Sequence, residues 1–192
     1  MIIEKEKEDD ICKKIKPIII VSGPPGSGKS TYAKRLAKDL NLKYYTSGQA
    51  FRELAKELNI DLIELNKIAQ NNPEIDLKID KKTLEEAKNG CIVIDSHLAA
   101  WILKDLSTIS IYVKADLKSR IKRLQLRDNK DINYSIEEAV YREYTHYRRF
   151  KEYYGIDIRD LSIFDLIIDT TNLSIDDAYD IILETVKKML KL

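Results

Sequence analysis

Hydrophobic and polar positions along this chain switch between two periods. Four short apolar runs read as buried parallel strands: Ile18 to Val21, Cys91 to Ile94 ahead of Asp95, Ile109 to Val113, and Leu166 to Ile168 ahead of Asp169. Tyr44 and Tyr45 suggest a further short strand. Between the runs the period lengthens to that of helices. Lys29 to Leu40 is amphipathic, and Ser47 is placed as the N-cap of a helix carrying Phe51, Leu54, Ala55 and Leu58 on one face. Asp61 to Gln70 forms another helix, and Pro73 opens a third that reaches Lys88. Asn89-Gly90 then stops the chain just before the second apolar run. Asp116 to Arg127 is helical, Ser135 caps a long helix that Gly155 ends, and Ser174 begins the closing helix. Apolar strands alternating with helices predict an α/β fold, a parallel sheet covered on both faces. Three successive helices between residues 47 and 88 interrupt the alternation and form an insertion the size of a small subdomain. Residues 1–16 are a charge-mixed arm, mobile or loosely helical, and residues 17–192 form one domain.

Composition narrows the function classes. Thirty-three basic against 32 acidic residues exclude a strongly cationic polymer binder. No apolar run reaches the roughly 18 residues of a membrane span. The opening MIIEKEKEDD is too acidic for a secretory signal. Cys12 and Cys91 stand in unlike contexts and are read as neither a disulfide framework nor a metal cluster. A reduced, soluble, cytoplasmic protein is the expectation. The weight of Lys, Glu and Ile matches proteins of hot environments, in which ion-pair networks lose less to desolvation.

The sharpest chemical signal is Gly23-Pro24-Pro25-Gly26-Ser27-Gly28-Lys29-Ser30-Thr31, which satisfies G-x-x-x-x-G-K-[ST] between a strand and a helix. Glycines let backbone N–H groups wrap a β-phosphate where side chains would intrude. The helix start adds its positive end, Lys29 places a compact charge between β- and γ-phosphates, and Ser30 offers a hydroxyl to Mg²⁺. This is a nucleoside triphosphate cradle. Asn66-Lys67-Ile68-Ala69, Asn129-Lys130-Asp131 and Asp95-Ser96-His97-Leu98 fail the guanine and switch motifs, which argues against a switch GTPase.

Four segments together carry a resemblance: GPPGSGKST at 23–31, SGQAFRELAKE at 47–57, NPEIDLKID at 72–80 and YYGIDIRDLSIFDLIIDT at 153–170. The chain resembles the P-loop nucleoside monophosphate kinases, most closely the archaeal-type cytidylate kinases, from about Ile18 to its C-terminus. The resemblance implies a P-loop NTPase three-layer sandwich with a five-stranded parallel sheet. It also implies that the helical insertion at 47–88 binds the acceptor and that a short lid lies near 128–134. The activity implied is ATP + CMP = ADP + CDP, with dCMP as a further acceptor, Mg²⁺ as cofactor and a monomeric state. It implies too that Arg52 binds the acceptor phosphate, and that Arg123 and Arg127 are lid arginines, one on the donor base and one on its phosphates. The family usually has an arginine where His97 stands and an acid where His146 stands, so both positions depart from its pattern.

The residues themselves support parts of this. Ser47 starts a helix whose N-terminal end favours a phosphate, and Arg52 in its second turn can grip one in bidentate fashion. Asp95 ends a strand facing the cradle and suits Mg²⁺. Arg120, Arg123 and Arg127 share one helix face, and Arg142, His146 and Arg149 share another. Phosphoryl transfer needs several cations around the non-bridging oxygens, which favours Lys29, Arg123, Arg127, Arg142 and Arg149 as catalytic groups. His97, Arg142 and Arg149 are also acceptor-site candidates, though His97 could equally be a loop histidine with no role. Asp76 and Asp80, one turn apart, could accept from a cytosine amino group or pair with Lys78, Lys81 and Lys82 on a solvated face. Basic and aromatic residues alternate at 141–154, as in some binders of single-stranded nucleic acid, but Glu143 and Glu152 interrupt them and a lid-bordering helix is preferred. Kinases of UMP or AMP and an NTP-hydrolysing assembly or RNA-associated factor stay as rival readings.

Overall fold

The computed structural model describes residues 11–129 and 131–192; the arm at 1–10 and Lys130 within the expected lid lie outside the described residues. Five strands, β1 (Ile18–Ser22), β2 (Lys43–Thr46), β3 (Ile92–Asp95), β4 (Ile109–Lys114) and β5 (Leu166–Asp169), form one sheet in the order β2-β3-β1-β4-β5. Every pairing is parallel. Residues of β1 are buried on both faces, which is why the run lacks alternation. One face packs Ile19, Val21, Val93 and Ile111 against α1 (Lys29–Asp39) and the closing helix α8 (Ile175–Leu190). The other packs Ile18, Ile20, Ile92 and Ile94 against Ala99, Ala100 and Leu103 in and after the short helix α5 (Ala99–Ile102). That gives the three layers.

The insertion is α2 (Ser47–Glu57), α3 (Leu62–Ala69) and α4 (Pro73–Ala87). It has a small core of its own, with Ala50, Ala55, Leu65, Ala69, Ile75 and Ile79. Asp61 and Asn72 cap α3 and α4 through their side chains, and Pro73 occupies the first turn of α4. The helix α6 (Leu117–Asp128) turns at Asn129 into α7 (Ile132–Tyr154), which Gly155 ends in the left-handed conformation.

Three expectations are corrected. Ser47 is the first residue of α2 rather than its cap, because Thr46 still belongs to β2 and leaves no loop residue to cap. Asp131, not Ser135, caps α7, its carboxylate accepting from the Tyr134 N–H at 3.0 Å. The two cysteines are joined as a disulfide across 79 residues of sequence, with Cα atoms 5.4 Å apart. A helical turn at residues 11–14 lays Ile11 into the core. Gly90 and Cys91, both at positive φ, bring the entry of β3 hard against Lys16. The unlike sequence contexts of the cysteines conceal this meeting.

Candidate active site

In a parallel sheet, ligands bind beyond the carboxyl ends of the strands where the strand order reverses. Here that point lies between β1 and β3, with Val21 in register with Asp95. The cradle leaves β1 and wraps tightly. A Cβ on Gly23 would come within 2.1 Å of the Val113 carbonyl oxygen, and one on Gly26, at φ +77°, within 2.6 Å of the Arg120 carbonyl oxygen. Only glycine closes this loop.

The cradle opens into a cavity of about 650 Å³ shared by the P-loop, α2, α4 and α7. Of the residues expected from sequence, Pro25, Lys29, Ser30, Ser47, Arg52, Asp76, Asp95, His97, Arg127, Arg142 and Arg149 line it. Thus the structure brings the triphosphate cradle and the candidate acceptor residues to one space. Gly23, Pro24, Gly26, Ser27 and Gly28 form the loop beside them, and Thr31 lies in the first turn of α1. Arg123 also stands outside the cavity. Its guanidinium donates to the Ser27 carbonyl at 3.1 Å, the Thr170 hydroxyl at 3.0 Å and the Thr170 carbonyl at 2.8 Å, clasping the P-loop to the end of β5.

Burial lowers the Lys29 pKa; Asp95 opposes that shift, while Arg142, Arg127 and Arg120 add to it. The Tyr44 hydroxyl donates to Asp95 Oδ2 at 3.0 Å and leaves Oδ1 for another partner. Arg52 has no ion pair or hydrogen bond to a described residue, and its guanidinium opens to the cavity. Ser47 donates to Ser96 Oγ at 2.9 Å. Glu138 gathers two arginines at the α6–α7 end of the cavity, Arg142 at 2.7 Å and Arg127 at 3.6 Å.

Deeper in, Arg149 Nε meets Asp76 Oδ2 at 3.0 Å, with the side chains only 3% and 8% exposed. That contact is not aligned as a hydrogen bond, so Arg149 Nε and Asp76 Oδ2, like Arg142 Nε, are buried polar atoms with unused hydrogen-bonding capacity. Asp76 and Asp80 turn toward α7 rather than toward Lys78, Lys81 or Lys82. Asp80 accepts from the Tyr154 hydroxyl at 2.6 Å.

The two histidines meet. His97 Nδ1 and His146 Nδ1 lie 2.8 Å apart, with the rings edge to face. One proton serves both nitrogens, so one ring donates and the other accepts. Burial, followed by Lys29, Arg142, Arg120 and Arg149, lowers His97 to about 3. Burial also holds His146 well below its ordinary value. Both rings are therefore neutral near pH 7.

Sequence reasoning missed Tyr44, Glu138 and Tyr154 as site residues. Of these, Glu138 alone left a local trace, four residues before Arg142 on the same helix. Ser30 and Asp95 line the cavity with Lys29, and no group of three or more His, Cys, Asp or Glu among the described residues could hold a metal. One hydroxyl and one carboxylate suit an ion that takes its remaining ligands from phosphate oxygens and water, so the donor set fits Mg²⁺.

Comparison with known proteins agrees. The AAA domain family model matches residues 19–146. A cytidylate kinase from Staphylothermus marinus is 51% identical over 174 residues, covering 91% of this chain and 98% of the relative. One from Aeropyrum pernix is 48% identical, covering 88% and 98%. The chain belongs to the cytidylate kinase family. It is a P-loop nucleoside monophosphate kinase. Shikimate kinase from Bacteroides thetaiotaomicron superposes with a TM-score of 0.61 at 13% identity, covering 92% of this chain and 99% of that one. An uncharacterized protein from Eubacterium ventriosum gives 0.68 at 21%, covering 89% and 98%. At such identities these two neighbours establish the fold alone. In this cytidylate kinase family member, His97 and His146 are a contacting pair.

Proposed function

We propose that the protein transfers the γ-phosphoryl group of ATP to CMP, and also to dCMP, giving ADP and the diphosphate. The observation that carries this reading is the single cavity that joins Lys29 and Ser30 of the cradle to Arg52, Arg142, Arg149 and Asp76. The naming of its relatives as cytidylate kinases supports the choice of acceptor. The acceptor phosphate attacks in line; it is already ionised, so no strong general base is needed. Arg52 grips that phosphate, and Lys29 neutralises charge on the transferring group. Arg127 and Arg142 close over its non-bridging oxygens from the α6–α7 end. Ser30 and Asp95 would hold Mg²⁺, which would supply screening of the phosphate charges. Arg123 acts at one remove, fixing the P-loop against β5. The segment 128–134 serves as a short lid that excludes water from the transfer. The insertion at 47–88 holds the acceptor, and the enzyme acts as a monomer in the cytoplasm. No described helix is long and apolar enough to cross a membrane.

The test is ADP release from ATP and Mg²⁺ against CMP, dCMP, UMP, AMP, GMP and no acceptor. CMP-dependent ADP formation with CDP as product is the expected result. Equal ATP turnover with and without every monophosphate would overturn the reading in favour of an assembly ATPase. Arg52→Ala should abolish transfer while leaving ATP binding nearly intact; an ATPase without an acceptor would be indifferent to it.

A further inference from the structure

Asp80 is a cavity carboxyl that phosphoryl transfer does not use. It lies on α4 one turn beyond Asp76, and both line the same cavity with Ile79 and Phe150. Their partners differ in kind. Asp76 faces a guanidinium, whereas Asp80 is met by the neutral hydroxyl of Tyr154. Two carboxyls share this corner, Asp76 buried and Asp80 half-buried, and its cation, Arg149, stands against the first. An isolated buried carboxylate takes up a proton rather than remain charged.

The groups facing Asp80 are Asp76 on its own helix, Tyr154 and Arg149 on α7, and Tyr45 on β2. Burial, with help from Asp76, pushes the Asp80 pKa up to about 6, against the pull of the Tyr154 hydrogen bond and of Arg149.

We infer that Asp80 reads the cytosine base as an un-ionised acid, its O–H donating to N3 and its carbonyl oxygen accepting from the 4-amino group. This rests on CMP being the acceptor. The chemistry is self-consistent. Oδ2 already accepts from Tyr154, which marks it as the carbonyl oxygen, with a second lone pair for the amino group; Oδ1 then carries the proton. Above pH 6 the proton is taken from solvent as the base enters. Uracil presents the reverse pattern, an N3–H donor and an O4 acceptor. To pair with it, the acid's proton must sit on Oδ2 instead, the oxygen that accepts from Tyr154, and a hydroxyl oxygen is a weaker acceptor for that bond than a carbonyl oxygen. An ionised Asp80 would instead accept from the amino group and leave N3 facing a negative charge. Tyr154 is thus a positioning residue for specificity.

Asparagine carries the donor and acceptor of the neutral acid and cannot ionise, so Asp80→Asn separates the two forms. The experiment measures KM and kcat for CMP and UMP from about pH 5.5 to 8.5 in wild type, Asp80→Asn, Asp80→Ala and Tyr154→Phe, with melting curves to confirm folding. In the wild type KM for CMP should climb on the alkaline side more steeply than in Asp80→Asn, which should still prefer CMP. Asp80→Ala should lose on the order of 10- to 100-fold in CMP over UMP preference at every pH, the worth of two hydrogen bonds. Tyr154→Phe should narrow the preference chiefly through KM for UMP. If Asp80→Asn loses the preference as fully as Asp80→Ala, the ionised carboxylate is the reader and the inference falls. Equal alkaline slopes in wild type and Asp80→Asn would also overturn it, as would an unchanged preference in Asp80→Ala. A wild type that ignores CMP would instead sink the acceptor assignment itself, so the two failures are told apart.

Discussion

Replacing Arg149 with alanine tests the buried pair at the base of the site. The side chains of Arg149 and Asp76 are 3% and 8% exposed and meet at 3.0 Å. Removing the guanidinium strands a buried carboxylate, and breaking such a pair costs about 3–5 kcal/mol. Unfolding entropy near 2.1 cal/mol/K per residue gives about 0.4 kcal/mol/K for a chain of this length, so Tm should fall by about 7–12 °C. The penalty has a pH sign. Burial already raises the Asp76 pKa and Arg149 pulls it down, so in the variant the folded-state pKa rises further. A raised acid pKa means that the folded state binds more protons than the unfolded chain, and stability falls as pH rises. The Tm deficit should therefore be larger at about pH 8 than at about pH 5. Asp76→Leu/Arg149→Met removes both charges and should recover most of the loss, because a well-packed apolar pair replaces a buried ionic one at little cost. Activity should not return with it, since Arg149 also supplies positive charge to the cavity. The assays are differential scanning calorimetry at both pH values and CMP-dependent ADP release. An Arg149→Ala Tm within about 2 °C of wild type at pH 8 would refute the reasoning, as would a double variant no more stable than the single one.

Gly26→Ala should abolish ATP-dependent turnover, because the new methyl meets the Arg120 carbonyl oxygen at 2.6 Å and the left-handed backbone adds about 1–2 kcal/mol; turnover within a factor of two of wild type would contradict this. Reduction, or Cys12→Ser/Cys91→Ser, opens a closed loop of 79 residues and should cost about 4.5 kcal/mol in the chain-entropy account, or about 11 °C in Tm. Free-thiol titration of the native protein reads the bond directly, and two reactive thiols would refute it. His97, at about 3 when folded, binds fewer protons than the unfolded chain between that value and its ordinary 6.5. Stability from the histidine pair should therefore be full above pH 6.5 and drain as pH falls below it. Ring-nitrogen NMR shifts should show both rings neutral at about pH 6, and a charged ring there would contradict the pairing.

Much of this protein is legible in one dimension. The strands announce themselves because a sheet covered on both faces needs unbroken apolar runs, and Ile18 to Val21 and Ile92 to Ile94 are such runs. The P-loop is legible because wrapping a phosphate demands glycine at fixed spacing, so the whole constraint is local. The three-helix insertion follows from periodicity, stop signals and the proline opening α4. These features, together with the arginines placed on helix faces, determine the fold and the class of chemistry. The pairings that tune the site are another matter. His97 with His146 is separated by 49 residues, Asp95 with Tyr44 by 51 and Asp80 with Tyr154 by 74. Cys12 lies 79 residues from Cys91. Ser47 and Ser135 look like caps in sequence, and only the end of β2 and the position of Asp131 decide otherwise. A residue type and its helix face can be read locally, but its partner depends on where separate elements close on one another. Packing around a shared cavity makes that choice: it sets α4 against α7, gives Arg149 to Asp76, and leaves Asp80 with a hydroxyl in place of a cation.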